Sequence, residues 1–367
     1  MAERALVIGG TGPTGTPIVR GLVERGFDTT IVHRGTHERD ETPPEVGHVH
    51  VDPYDDAALA DVLSQWRSDV VVAMYGRLRR IAELTRGRTE RFISVGGVPA
   101  YRGWMNPWLH EPAGLPVPVR EDAPTVDDPA EDEKGFRIVR TERTVFACHP
   151  GAAHFRYPYV YGPYQLAPRE WCVVRRLLDG RRRIVVADGG LTLHHHGYTE
   201  NLARAVLLSV EHPEAVGLFN VGDEEVLTIR QVIELIAAAL ERPLEIVSLP
   251  FELATPARPL LAQPSPTHRV LDLSRARTML GYRDAVPARI AVGLTARWLV
   301  EHPPPRGGTE ERVLTDPFAY DAEDELLAAW DRVQRSWREP AFAEPPGYGL
   351  AYSGPGGRPR SNAAFVE

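Results

Sequence analysis

Ala5-Leu6-Val7-Ile8-Gly9-Gly10-Thr11-Gly12-Pro13-Thr14-Gly15 sets a four-residue apolar run against glycines at positions 9, 12 and 15. The run reads as a short strand. Pro17 to Arg25, with Ile18, Val19, Leu22 and Val23 on one side, reads as the helix that follows. A chain that leaves a strand, turns at once and packs a helix back on that strand needs residues without Cβ. The new helix then presents its positive N-terminal end to whatever lies over the turn. With Thr29 to Val32 as the next strand, the order strand, glycine turn, helix, strand is that of a dinucleotide-binding βαβ unit.

The end of the second strand selects the dinucleotide. An acidic residue there would hold the ribose 2′-hydroxyl of NAD, but the sequence is Val32-His33-Arg34. Arginine pairs with a 2′-phosphate, so NADP is expected in preference to NAD. Asp52, in VDPYDD, is placed to accept from the adenine amino group. Met74, Tyr75 and Gly76 end the fourth strand, where a parallel sheet opens on its ligand, and Val95 lies on the fifth. Expected cofactor contacts are therefore Gly9, Thr11, Gly12, Pro13, Thr14, Gly15, Arg34, Asp52, Met74, Tyr75, Gly76 and Val95.

Further strands are predicted at His48 to Val51, Val70 to Met74 and Phe92 to Val95, alternating with helical stretches. This predicts an α/β fold, a Rossmann-type doubly wound parallel sheet with a smaller C-terminal α/β substrate-binding lobe. The expected division is 1–165 for the dinucleotide domain, completed by about 192–235. Residues 166–191 and 236–310 form the lobe, and 311–367 a C-terminal extension. EHPPPRGGTEER (301–312) reads as a linker, Ala322 to Trp337 as a helix, and 347–362 as an arm without regular structure.

The 367 residues carry 42 basic and 50 acidic side chains, a net charge of −8. That balance, without basic runs, disfavours nucleic acid and anionic membrane as partners. Two cysteines, Cys148 and Cys172, make no disulfide framework, no apolar run is long enough to span a bilayer, and the first residues show no signal peptide, so a cytoplasmic protein is expected. Nearly all positive charge is arginine. Lys134 is the single lysine.

ALVIGGTGPTG, TTIVHRG, VDPYDDAAL, RFISVGGVPAYRG, FRYPYVYGPYQ and YTENLARAV together resemble, in order and spacing, the extended short-chain dehydrogenase/reductase superfamily, in its NAD-dependent epimerase/dehydratase branch. The resemblance covers roughly residues 4–300. It implies a catalytic tyrosine, a lysine four residues later and a serine or threonine that polarises a carbonyl, because hydride leaves carbon readily only as the hydroxyl proton is removed. The sequence departs at all three. Gly97 stands at the serine position. KGFRIVRTER puts Lys134 at the tyrosine and Ile138 at the lysine position, and a register shifted by two gives Phe136 and Arg140. The arginine that grips the diphosphate in nucleotide-sugar members is replaced by His194, which disfavours those substrates.

Candidate catalytic groups are then Tyr101, just past the fifth strand, and Lys134, whose amine would lose its proton if desolvated. Gly97, Trp104, Tyr159, Tyr161 and His194 are the expected substrate contacts. His194-His195-His196 invites a metal, yet neighbours on a strand face opposite ways and no further ligand stands at the required spacing, so none is expected. The whole reads as an NADP-binding, epimerase/dehydratase-like enzyme for a small organic or natural-product substrate, working by atypical redox or redox-neutral chemistry, and forming a homodimer. The alternative is a catalytically silent NADP(H) sensor.

Overall fold

In a computed structural model of the chain, residues 2–36, 38–74 and 76–343 are described. Seven strands form the central sheet: β1 (Arg4–Ile8), β2 (Asp28–His33), β3 (Gly47–His50), β4 (Ser68–Met74), β5 (Thr89–Gly97), β6 (Ala153–Tyr157) and, later in the chain, β10 (Gly217–Asn220). Their spatial order is β10-β6-β5-β4-β1-β2-β3, and every pairing is parallel. Between the strands run α1 (Gly15–Glu24), α2 (Asp56–Gln65), α3 (Leu78–Thr85) and α4 (Glu133–Cys148).

Apolar residues occupy both faces of the strands, as parallel pairing under two helical layers requires. Ala5, Val7, Ile31, Val72, Ile93 and Val95 share one core with Ile18 and Leu22 of α1 and with Leu202 and Val206 of α6 (Thr199–Glu211). The alternate residues Leu6, Ile8, Val32, Val71 and Phe92 pack with Leu59, Leu63, Ile81 and Val145 from α2, α3 and α4. Because β1 pairs with both β2 and β4, the order reverses beside it, and loops leaving the carboxyl ends of these strands diverge to leave a crevice.

The smaller lobe is built from two parallel strand pairs, β7 (Tyr159–Tyr161) with β9 (His196–Tyr198) and β8 (Arg183–Ala187) with β11 (Glu245–Leu249). With them go α5 (Trp171–Leu178), α7 (Ile229–Ala239), the short α8 (Arg258–Leu261) and α10 (Ala288–Glu301), whereas α9 (Ser274–Leu280) packs on α6 and β10, with Ala276 and Leu280 in the core of the sheet. The opening of α7 follows from Thr228 and Gln231, which form a reciprocal capping box.

The expected linker at 301–312 is corrected by the structure. After α10 the chain folds into α11 (Thr309–Leu314), and Glu311 is buried, accepting from Trp171 Nε1 at 2.8 Å and Arg175 Nη1 at 2.6 Å. Asp316 then pairs with buried Arg176 at 2.6 Å. Composition suggested a flexible tether, but two carboxylates meeting two arginines of α5 hold this segment in place. The chain divides into two compact units, Met1–Phe318 and Ala319–Glu367, and α12 (Tyr320–Ser336) belongs to the second. The arm expected at 347–362 lies outside the described residues.

Candidate active site

The glycine turn follows β1 directly. Gly9 takes φ +96°, Gly12 N donates to Gly9 O at 3.2 Å, and Gly15 N donates to Gly12 O at 3.0 Å. A Cβ on Gly15 would lie 2.5 Å from Gly9 O, so that glycine is required for helix and strand to meet. A Cβ on Gly12 would meet nothing nearer than Gly9 O at 3.5 Å, leaving the outer face of the turn open. Thr14 is buried, and its hydroxyl donates to Met74 Sδ at 3.6 Å, tying the turn to the end of β4. Arg34 is exposed just past β2. Arg39, which sequence reading missed, donates from Nε to Thr11 O at 3.4 Å and lies 3.9 Å over the Tyr164 ring. Asp52 is exposed and accepts from Tyr54 N at 3.0 Å. These groups fit a dinucleotide: an open backbone turn at a helix N-terminus for pyrophosphate, with arginines beside the second strand. Tyr75 lies outside the described residues.

A cleft of about 1040 Å³ runs across the carboxyl ends of β4, β5 and β6. Gly76, Val95, Gly97, Trp104, Lys134, Tyr159 and His194 line it, so the structure brings four of the five expected substrate contacts together with Lys134 and two expected cofactor contacts. Two expectations are corrected. Tyr101 is fully buried, donates to Asn220 Oδ1 at 2.6 Å and carries Arg156 4.5 Å over its ring. Burial pushes its hydroxyl up to about 12, and it does not line the cleft. Tyr161 turns away likewise, donating to Asp223 Oδ2 at 2.8 Å in the core. In both cases a polar partner buried in the fold, invisible along the sequence, captured the phenol.

Along α4, Lys134, Arg137, Ile138, Arg140, Thr141 and Thr144 line the cleft and Phe136 does not, so Lys134 and Ile138 of one register face the site together with Arg140 of the other. Lys134 is exposed in the first turn, after the N-cap Asp132. Beneath lies a buried network that sequence reading overlooked. Ser94 Oγ and His154 Nδ1 are 2.8 Å apart, and Arg156 bonds Glu142 through Nε at 2.8 Å and Nη2 at 2.7 Å. Burial takes His154 down to about 4, so the ring is neutral at pH 7, and its Nε2 has no hydrogen-bond partner. The signal was available: AHFRY places two polar residues on one face of a buried strand.

The inner end of the cleft is formed by Trp104, Tyr159, His194 and two further residues absent from the sequence reading, Arg169 and Arg269. Arg269 backbone groups pair with the chain before β9, Arg269 N to Leu193 O at 2.9 Å and His195 N to Arg269 O at 2.8 Å, which sets it beside His194. Arg169 lies 3.6 Å over the Tyr159 ring, with Nη1 3.5 Å from His194 Nδ1. Burial first, then the neighbouring His196, Arg169 and Arg269, push His194 well below the usual imidazole range.

No family model matches the sequence. A 3-diazoavenalumate denitrifying reductase from Streptomyces is 28% identical over 308 residues, 78% of this chain and 97% of that protein. Among solved structures, the Bordetella bronchiseptica enzyme WbmG in complex with NAD superposes with TM-score 0.64 at 16% identity, over 82% of this chain and 95% of that one. UDP-glucose 4-epimerase from Thermotoga maritima, with UDP-glucose, gives TM-score 0.64 at 20% identity, over 82% and 99%. The fold is that of the sugar-nucleotide epimerases.

On this epimerase fold the histidine triplet is not a ligand set. His195 is pinned between Asp223 O (2.8 Å) and Leu271 N (3.0 Å), on the side away from His194. A group able to hold a metal forms elsewhere: His33, Glu38, His48 and His50 each bring one donor atom within 4.8 Å of the others. They meet because β2 pairs with β3 in a register that sets His33 opposite His50, a relation no spacing along the chain expresses. His33 Nε2 lies 3.0 Å from His48 Nδ1 and His50 Nε2 lies 3.0 Å from Glu38 Oε1.

Proposed function

We propose that the chain is an NADP(H)-dependent reductase that delivers hydride to a small organic electrophile needing no proton from the enzyme, such as a diazo-substituted aromatic compound. The observation that carries the reading is the wall of the cleft: Gly97, Lys134 and Ile138 stand where the resemblance requires a hydroxyl, a phenol and an amine, and the nearby Tyr101 is sealed in the core. A bound nicotinamide supplies hydride, and an arene diazonium takes that hydride at carbon as the C–N bond breaks and its electron pair leaves with N2, so charge and atoms balance with no proton added. The Streptomyces relative, named for denitrifying reduction and alike over nearly its whole length, supports the same class.

In this reading the turn from Gly9 to Gly15 holds the pyrophosphate, with Arg34 and Arg39 at the 2′-phosphate, Asp52 at the adenine, and Met74, Gly76 and Val95 toward the nicotinamide. Gly97, Trp104, Tyr159 and His194 face the substrate. The preference for NADP is supported by the absence of a carboxylate at the end of β2. The test is single-turnover reduction of an arene diazonium with NADPH deuterated at C4. Label in the product together with N2 release is expected. No affinity for either dinucleotide would overturn the cofactor assignment, and label appearing only when a solvent proton is also transferred would overturn the chemistry.

A further inference from the structure

Buried guanidinium groups in this protein have partners. Arg156 is paired with Glu142 and Arg176 with Asp316, while Arg91 is wrapped by backbone carbonyls. Arg269 is buried too, and Arg169 beside it is half-buried. Arg269 is 2% exposed, and its Nε donates to Trp104 O at 2.7 Å and its Nη1 to Thr267 O at 3.3 Å. Its Nη2 is buried with no partner, and neither arginine forms an ion pair among the described residues. Burial, and then the charge of Arg169, take the Arg269 guanidinium down to about 10. A cation that is desolvated, repelled by a second cation and left with an unpaired donor destabilises a fold unless an anion compensates it.

None of the surrounding groups compensates it. His194 is neutral, and the Tyr159 hydroxyl is raised by burial and donates to Ala167 O. Glu170, next in sequence to Arg169, faces a separate small pocket with Tyr161 and His196, and burial raises its carboxyl to about 7, which makes it a poor counter-ion. Arg169, Arg269, Trp104, Tyr159 and His194 all border the 1040 Å³ cleft, so the missing anion has a route in.

We propose that Arg169 and Arg269 form a built anion site that takes the carboxylate of the substrate, with its aromatic body lying between Trp104 and Tyr159. A planar carboxylate matches the planar fork of a guanidinium. A single negative group suits a pocket whose remaining walls, Trp104, Tyr159 and His194, carry no charge. This names the substrate class for the site under the proposed function and rests on it only for the identity of the reacting end.

Binding of 4-hydroxycinnamate, of its methyl ester and of UDP-glucose to the full chain, followed by quenching of tryptophan fluorescence and by calorimetry without cofactor, tests the proposal. NADPH affinity is measured in parallel on the wild type, Arg269→Met and Arg169→Met. The acid is expected to bind at least about tenfold more tightly than the ester, and each substitution to remove that difference while leaving NADPH affinity unchanged. Equal binding of acid and ester, a preference that survives both substitutions, or UDP-glucose binding more tightly than the acid and losing affinity in both variants would overturn it. Loss of NADPH binding in both variants would show that the arginines support the fold, and would overturn it too. If the wild type binds the acid but reduces no diazonium, only the reaction assignment falls.

Discussion

Two glycines three residues apart in the same turn carry different duties. A methyl group on Gly15 would collide with Gly9 O at 2.5 Å and with Gly10 C at 2.6 Å. Gly15→Ala is therefore expected to lose about 1–3 kcal/mol of stability as well as dinucleotide affinity, read from urea unfolding and an NADPH titration. Gly12→Ala meets only ordinary contact, so its unfolding midpoint should stay close to the wild type while NADPH affinity falls, because the added methyl occupies the face open to pyrophosphate. Equal effects of the two on stability would contradict this division. Glu170 supplies a pH dependence. Its folded value, raised by burial to about 7, exceeds the unfolded value of about 4.3, so between these the folded state binds the extra proton and stability falls as pH rises through that window. Glu170→Gln removes the titration. Its unfolding midpoint should vary less between pH 5 and 8 than that of the wild type, and should be the higher of the two at pH 8.

Among the elements, β5 and α6 are joined by one side chain. Arg91, buried in β5, donates to Ser209 O at 3.0 Å, Gly151 O at 2.8 Å, Pro213 O at 3.0 Å and Ala215 O at 2.8 Å, closing the turn between α6 and β10. No carboxylate accepts a hydrogen bond from it, so the energy is chiefly that of carbonyls that would otherwise be buried without donors. Arg91→Met is expected to cost about 2–4 kcal/mol in urea unfolding and to leave NADPH affinity nearly unchanged, since the turn lies at the end of the sheet away from the cleft. A loss below about 0.5 kcal/mol would show that water replaces the guanidinium. The same scale explains what could be read in advance. α1, α7 and the strands of the dinucleotide half were legible because their apolar periods and turn residues are local. The segment 301–318 was not, because Glu311 and Asp316 are ordinary charged residues until α5 brings arginines to them.

For the molecule as a whole, charge is distributed against its sum. The protein is acidic overall, at −8, yet Arg77, Arg79, Arg80, Arg137 and Arg140 border a cleft whose inner end holds two more arginines. Glu83 and Glu133 line the same cleft but are outnumbered, and an excess of one sign focuses the field and draws in ligands of the other. For an anionic substrate, kcat/KM is expected to fall several-fold between about 0.05 and 0.5 M salt, as the Debye length contracts toward the size of the cleft, while a neutral analogue changes little. Equal salt dependence for both would remove the steering.

The sequence by itself determined the doubly wound sheet and the glycine turn, because these depend on local period and on residues without Cβ. Tertiary structure alone decided which polar groups face the cleft. Tyr101 and Tyr161 are taken into the core by Asn220 and Asp223, while Arg269 is set beside His194 by strand pairing and Arg169, a hundred residues earlier, meets the same histidine by stacking on Tyr159. Such choices turn on which buried partner is within a few ångströms, and that distance exists only once the chain has folded.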